Sequence, residues 1–96
     1  MSQIKVEKLS DEKRQELKIP DSLQSTADWS VWECEPSSFD WHYDQIELAY
    51  VYEGKVNIKT SNGETQINAG DFVTFPRDLD CTWEVIEKIR KVYQFI

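Results

Sequence analysis

The sequence predicts an all-β domain, a sandwich or barrel of short strands with one short N-terminal helix. Two observations predict it. From Trp29 onward apolar and polar residues alternate with the two-residue period of a sheet, as in Phe39, Trp41 and Tyr43 against Asp40, His42 and Asp44. Turn-forming residues also punctuate the chain at short intervals, at Pro36-Ser-Ser, Asn62-Gly63, Ala69-Gly70-Asp71 and Pro76-Arg77-Asp78. At 96 residues there is material for one domain and one pocket.

Taken in order, Ile4 and Val6 alternate with charged neighbours and suit a short edge strand. Ser10 with Asp11 and Glu12 behind it forms a helix start, because a serine cap and acidic first-turn residues satisfy the free amides there. The helix should run about two turns and stop at Pro20. Its acids Asp11, Glu12 and Glu16 read as a solvated face. Residues 1–27 form this N-terminal strand and helix, and residues 28–96 form the barrel, as one folding unit.

Within the barrel, Trp29 to Cys34 is a strand, and Phe39 to Asp44 follows after the Pro36 break. Leu48 to Tyr52 is almost wholly apolar, as a strand covered on both faces should be. Gly54 is expected to start a return strand, Val56–Ile58. Asn62-Gly63 signals a tight hairpin between Val56–Thr60 and Thr65–Asn68, since that pair takes positive φ values readily. Phe72–Phe75, Thr82–Ile86 and Val92–Ile96 complete the sheet.

Composition removes several functions. The net charge of −7, from 18 acids against 11 bases, offers no basic stripe for a phosphate backbone, so no nucleic acid partner is expected. No apolar run reaches the roughly 18 residues a membrane span needs, and the first residues do not resemble a signal peptide. No membrane partner is expected and the protein is placed in the cytoplasm. There Cys34 and Cys81 should stay reduced.

The phrases Ser-Ser-Phe39-Asp-Trp41, Tyr50-Val-Tyr-Glu-Gly54-Lys-Val, Gly70-Asp-Phe-Val-Thr-Phe-Pro76 and Cys81-Thr-Trp83 carry a family resemblance. The chain resembles the small single-domain cupins of the (S)-ureidoglycine aminohydrolase type from Trp29 to Ile96. The resemblance implies a jelly-roll barrel open at one end, with two motifs facing each other across its mouth. In the usual cupin pattern those motifs give one glutamate and three histidines to a metal. Here Glu47 matches the glutamate, the third ligand position is Cys81, and Asp78 stands where the pattern has glycine. The two remaining positions fall on Trp41 and Tyr43 in one register and on Asp40 and His42 in the other.

Strand parity separates the two registers, because residues of one parity share a face. Burying Phe39, Trp41 and Tyr43 hides on the order of 150–250 Å² per ring, whereas the other register buries unpaired carboxylates. The aromatics are therefore expected inside and His42 in solvent. The inward set is Glu47, Cys81, Trp41 and Tyr43, with Trp83 farther along the Cys81 strand. Glu47 and Cys81 fall short of the three or more ligands a catalytic first-row metal takes, and His42 would supply a third only in the other register, so a metal is possible but not favoured, no other cofactor is expected, and the aminohydrolase's manganese chemistry does not transfer.

Two functions fit that pocket. In the first, Glu47 and Cys81 are catalytic and Trp41, Tyr43 and Trp83 bind a small metabolite, which suits isomerase-like proton transfer without metal. In the second, the same rings bind a small molecule or sugar without chemistry. A bland alternative makes the rings core and pairs Glu47 with Arg77 or Arg90. The apolar ends Ile4–Val6 and Val92–Ile96 read as exposed edges, from which a homodimer is expected.

Overall fold

A computed structural model describes residues 3–96, so residues 1 and 2 of the expected N-terminal segment lie outside the described residues. Among the described residues there are seven strands and one helix: β1 (Lys5–Lys8), α1 (Asp11–Glu16), β2 (Ser30–Cys34), β3 (Ser37–His42), β4 (Glu47–Thr60), β5 (Gly63–Asn68), β6 (Asp71–Phe75) and β7 (Asp80–Phe95). All pairings are antiparallel, in the order β1-β6-β4-β7-β2, with β3 also on β7 and β5 also on β4. The all-β class with a single short helix is as the sequence predicts, and the architecture is that of a jelly-roll.

The two long strands shape the barrel. The first part of β4 pairs with β6 and its second part with β5, while β7 pairs first with β3 and then with β2. Each therefore passes from one layer of the barrel to the other. The bend falls at Gly54, where the β4–β7 register shifts between Val51 and Val56. Gly54 has φ 107°, and a Cβ there would lie 2.3 Å from the Lys88 carbonyl oxygen. Only glycine allows two backbones this close at a positive φ. Gly54 thus bends one continuous strand and does not start a new one, which corrects the expected break.

The same continuity overturns a second expectation. Thr82–Ile86 and Val92–Ile96 are not separate strands, and the latter is no edge, because Val92 pairs with both Val31 and Tyr50. Of the two apolar ends read as edges, only the N-terminal one, β1, lies at the end of the strand order.

The main core fills the barrel with Ala49, Val51, Val56, Ile58, Ile67, Val73, Val85 and Ile89 beside the aromatic residues. A second cluster of Ile19, Trp29, Phe72 and Val92 packs with Leu17, Leu48, Tyr50 and Tyr52, so the apolar Leu48–Tyr52 run is covered on both faces. The helix has six residues, about two turns as expected. Ser10 caps it by accepting from the Lys13 amide at 3.1 Å, but it ends before Pro20. Lys18 turns left-handed at φ 58°, its amide bonds to Gln15 and that of Ile19 to Arg14, which closes the helix and buries Ile19. The Asn62-Gly63 hairpin forms, with Ser61 and Asn62 as the link and the positive φ at Gly63 alone.

Candidate functional site

One end of the barrel holds a cavity of about 250 Å³. Its lining comes from β2 (Trp32), β3 (Phe39, Trp41), the turn after β3 (Tyr43), the first residue of β4 (Glu47) and β7 (Trp83, Lys91, Tyr93, Phe95). Phe39, Trp41 and Tyr43 do share one face, as parity predicts, and His42 lies on the other. There its Nδ1 is 2.7 Å from Asp80 and its Nε2 3.4 Å from Asp44, with the ring about half exposed. Those carboxylates, Asp80 first, push the imidazole pKa up, because they stabilise its charged form.

Depth along the wall varies. Tyr43 is buried and stacks on Phe75 at 4.8 Å, and Phe39 stacks on Trp83 at 6.0 Å. Trp32 meets Trp83 edge to face at 5.6 Å. Trp41 is 50% exposed, against the expectation that it be buried. It stands at the rim, beside the exposed Phe95, where no further layer covers it.

The turn that carries the second motif is fixed to this wall. Asp78, where the cupin pattern has glycine, takes the left-handed conformation at φ 66°. Aspartate tolerates this better than most residues. The Asp78 amide donates to the Tyr43 carbonyl at 2.7 Å, and the Tyr43 amide to the Leu79 carbonyl at 2.9 Å.

Glu47 is buried, and its Oε2 lies 2.5 Å from the Nζ of Lys91, which is equally buried. The partner is neither Arg77 nor Arg90. Arg90 pairs with Glu33 and Glu53 on the outer surface, while Arg77 lies at the exposed rim. The Lys91 ammonium also sits 4.7 Å from the ring centre of Trp83, 5.0 Å from Trp32, 5.5 Å from Tyr93 and 5.8 Å from Phe75. Ring faces attract a cation, and the effect grows once water is excluded. Burial pushes the Lys91 pKa down, against the upward pull of the Glu47 charge. Burial, and then Glu47, push the Tyr43 phenol far up, so it is a neutral hydrogen-bonding group.

Cys81 does not line this cavity. It packs in the core, and its thiol donates to the Trp41 carbonyl at 3.6 Å. Burial, and then Asp80, push its pKa up to about 11, which keeps it a thiol. Both Cys34 and Cys81 are free.

The donor set does not fit a metal. Glu47 already faces a cation supplied by the chain, and the other inward positions hold Trp41, Tyr43 and a core thiol. Among the described residues no group of three or more His, Cys, Asp or Glu is arranged to hold a metal ion. No helix among them is long and apolar enough to cross a membrane.

The sequence reading missed the lining residues Trp32, Tyr93 and Phe95 and, with most consequence for the chemistry, the charged Lys91. It stands in Lys88-Ile-Arg-Lys-Val92, a stretch polar enough to pass for a break between strands. Once β7 is continuous, Lys91 has the inward parity of Ile89 and Tyr93.

The family model described as the EutQ-like cupin domain matches residues 22–93. No curated protein matches the sequence. Among solved structures, a DUF861 family protein from Thermotoga maritima is 42% identical, with 98% of this chain and 100% of that chain covered and a TM-score of 0.87. The EutQ protein of Clostridium difficile is 21% identical over 70% of this chain, with a TM-score of 0.65, and the match spans 53% of that longer protein. A DUF861 family protein from Pseudomonas syringae is 27% identical over 71% of this chain and 30% of its own, with a TM-score of 0.64. The 42% identity over nearly the whole chain and the match to three-quarters of its residues agree with the barrel and its two motifs: this chain belongs to the EutQ-like cupin domain family.

Proposed function

We propose that this domain is a metal-independent enzyme that moves a proton on a small carbonyl-bearing metabolite held in the ring-lined cavity. The observation that carries the reading is the Glu47–Lys91 pair, two opposite charges 2.5 Å apart in the wall of an otherwise aromatic pocket. Glu47 is the base. Its carboxylate takes a proton from the carbon beside the carbonyl, while the Lys91 ammonium donates to the carbonyl oxygen and stabilises the negative charge that develops there. Return of the proton to the same or the adjacent carbon completes an epimerisation or an isomerisation. Trp32, Trp41 and Trp83 hold the flat substrate, and Cys81 takes no step.

The size of the cavity supports a substrate of few atoms, since it lies just under the usual range of about 300–1,000 Å³ for ligand pockets. The resemblance of the two motifs to those of the (S)-ureidoglycine aminohydrolase type supports a small polar metabolite, without that enzyme's metal chemistry. The two free thiols support a reducing, cytoplasmic setting. Association of two copies belongs to the same proposal, supported by the exposed apolar rim of Trp41, Phe95 and Ile96. Sedimentation at the monomer mass over a wide concentration range would remove it.

A second reading, a binder without chemistry, is favoured by one observation: Lys91 already engages the Glu47 carboxylate, so the pair could serve only to orient a ligand. The test of the pocket common to both is NMR titration with dihydroxyacetone and related small carbonyl compounds. Shifts at the indole signals of Trp32, Trp41 and Trp83 are expected, and shifts only at surface residues such as Trp29's neighbours would reject the pocket.

A further inference from the structure

We propose that Lys91 is an amine nucleophile that condenses with small aldehydes or ketones in the pocket, giving an iminium held between Glu47 and the aromatic wall. This rests on the reading of the cavity as a carbonyl site and replaces the hydrogen bond from Lys91 to the carbonyl oxygen with a covalent bond from Lys91 to the carbonyl carbon. Three features of the structure carry it.

The first is access. Lys91 lines the cavity although its side chain is only 6% exposed, so a molecule inside meets the amine without competing bulk water. Other lysines, such as Lys5 and Lys8, lie about 70% exposed at the surface. The second is a proton acceptor in place. Glu47 is within hydrogen-bond distance, so the ammonium can hand its proton to the carboxylate and become the free amine that attack requires. Burial already biases Lys91 toward that neutral form.

The third is the ring wall. An iminium carries the same single positive charge as the ammonium it replaces. Trp32, Trp83, Tyr93 and Phe75, whose centres lie 4.7–5.8 Å from Nζ, stabilise both by the same attraction. The surroundings of the cation therefore need no rebuilding during the step.

The step balances within the site. Lys91 passes a proton to Glu47, and its nitrogen forms a bond to the carbonyl carbon while the π pair moves to oxygen. Proton transfer from nitrogen to oxygen gives the neutral carbinolamine. Glu47 returns its proton to the carbinolamine hydroxyl, which leaves as water. The products are one iminium, one carboxylate and one water, with no oxidant or reductant.

The experiment is reductive trapping of the wild-type chain with benzaldehyde and sodium cyanoborohydride, read by intact mass and peptide mapping. Lys91 is expected to gain one benzyl group before any other lysine, and Lys91→Arg to lose that early modification. Labelling confined to exposed lysines, or absent, would overturn the proposal without needing any variant to fold. Trapping reports the covalent adduct alone. Hydrogen exchange at the substrate carbon without trapping would leave the proton-transfer reading standing and reject only the iminium.

Discussion

Lys91 reaches Glu47 across an offset of four residues: its backbone partner on β4 is Val51, whereas Glu47 stands opposite Phe95. The long lysine side chain spans the difference along the inside of the barrel, and the two charges meet at 2.5 Å with about 5% of each side chain exposed. Taking both charges from water costs several kcal/mol per ion, and their attraction offsets it only while both are present.

That asymmetry sets a double-mutant cycle. Glu47→Leu and Lys91→Met should each destabilise the fold by about 3–5 kcal/mol, because each strands one buried partner. The variant carrying Glu47→Leu and Lys91→Met together should recover most of the loss. Denaturant unfolding of the variants measures this. Additive losses would mean that the two groups do not depend on each other.

Two glycines in positive-φ backbone separate crowding from strain. At Gly54 a Cβ would overlap the Lys88 carbonyl, while at Gly63, with φ 127°, it meets nothing within 4 Å. Gly54→Ala should cost about 3 kcal/mol or more and Gly63→Ala about 1 kcal/mol. Equal losses would show that the β4–β7 bend does not require glycine.

Stability should fall as the solution becomes alkaline. Cys81 has a folded value of about 11 against an ordinary 9.0, so between them the folded chain keeps a proton that the unfolded chain has released. Its contribution is present below about 9 and lost by about 11. Tyr43, raised by burial, acts in the same direction above about 10, where an exposed phenol ionises. Lys91 acts in the opposite direction, since its lowered value adds stability as pH rises toward the ordinary lysine value of about 10.4. Unfolding midpoints measured across this range should decline less steeply in Cys81→Ala than in the wild type. An unchanged slope would show that the thiol is not raised.

Much of this architecture is written in local pattern. Alternation places Phe39, Trp41 and Tyr43 on the pocket face and His42 outside it, because parity needs only the strand itself. Ser10 marks the helix start, and Glu47 marks the pocket through its motif. Lys91 is not legible in the same way. Its role depends on β7 running unbroken through Ile86-Glu-Lys-Ile-Arg and on a bulge in β4 that fixes which residues face each other. Both are products of pairing between distant segments. The bend at Gly54 imitates a turn in sequence because glycine serves both purposes. Trp41 is exposed for a related reason: parity assigns a face, whereas burial depends on what lies across it, and at the rim nothing does.

The central claim is that Glu47 and Lys91 move a proton on a carbonyl compound. The most direct measurement is proton NMR of small hydroxy-aldehydes and hydroxy-ketones incubated in D2O with the protein, at a temperature where Glu47→Gln remains folded. The account predicts that the wild type exchanges the hydrogen beside the carbonyl for deuterium in at least one compound that shifts the pocket indoles, and that Glu47→Gln does not. Compounds that bind the pocket and keep every hydrogen, in the wild type as in the variant, would contradict it and leave a binding domain.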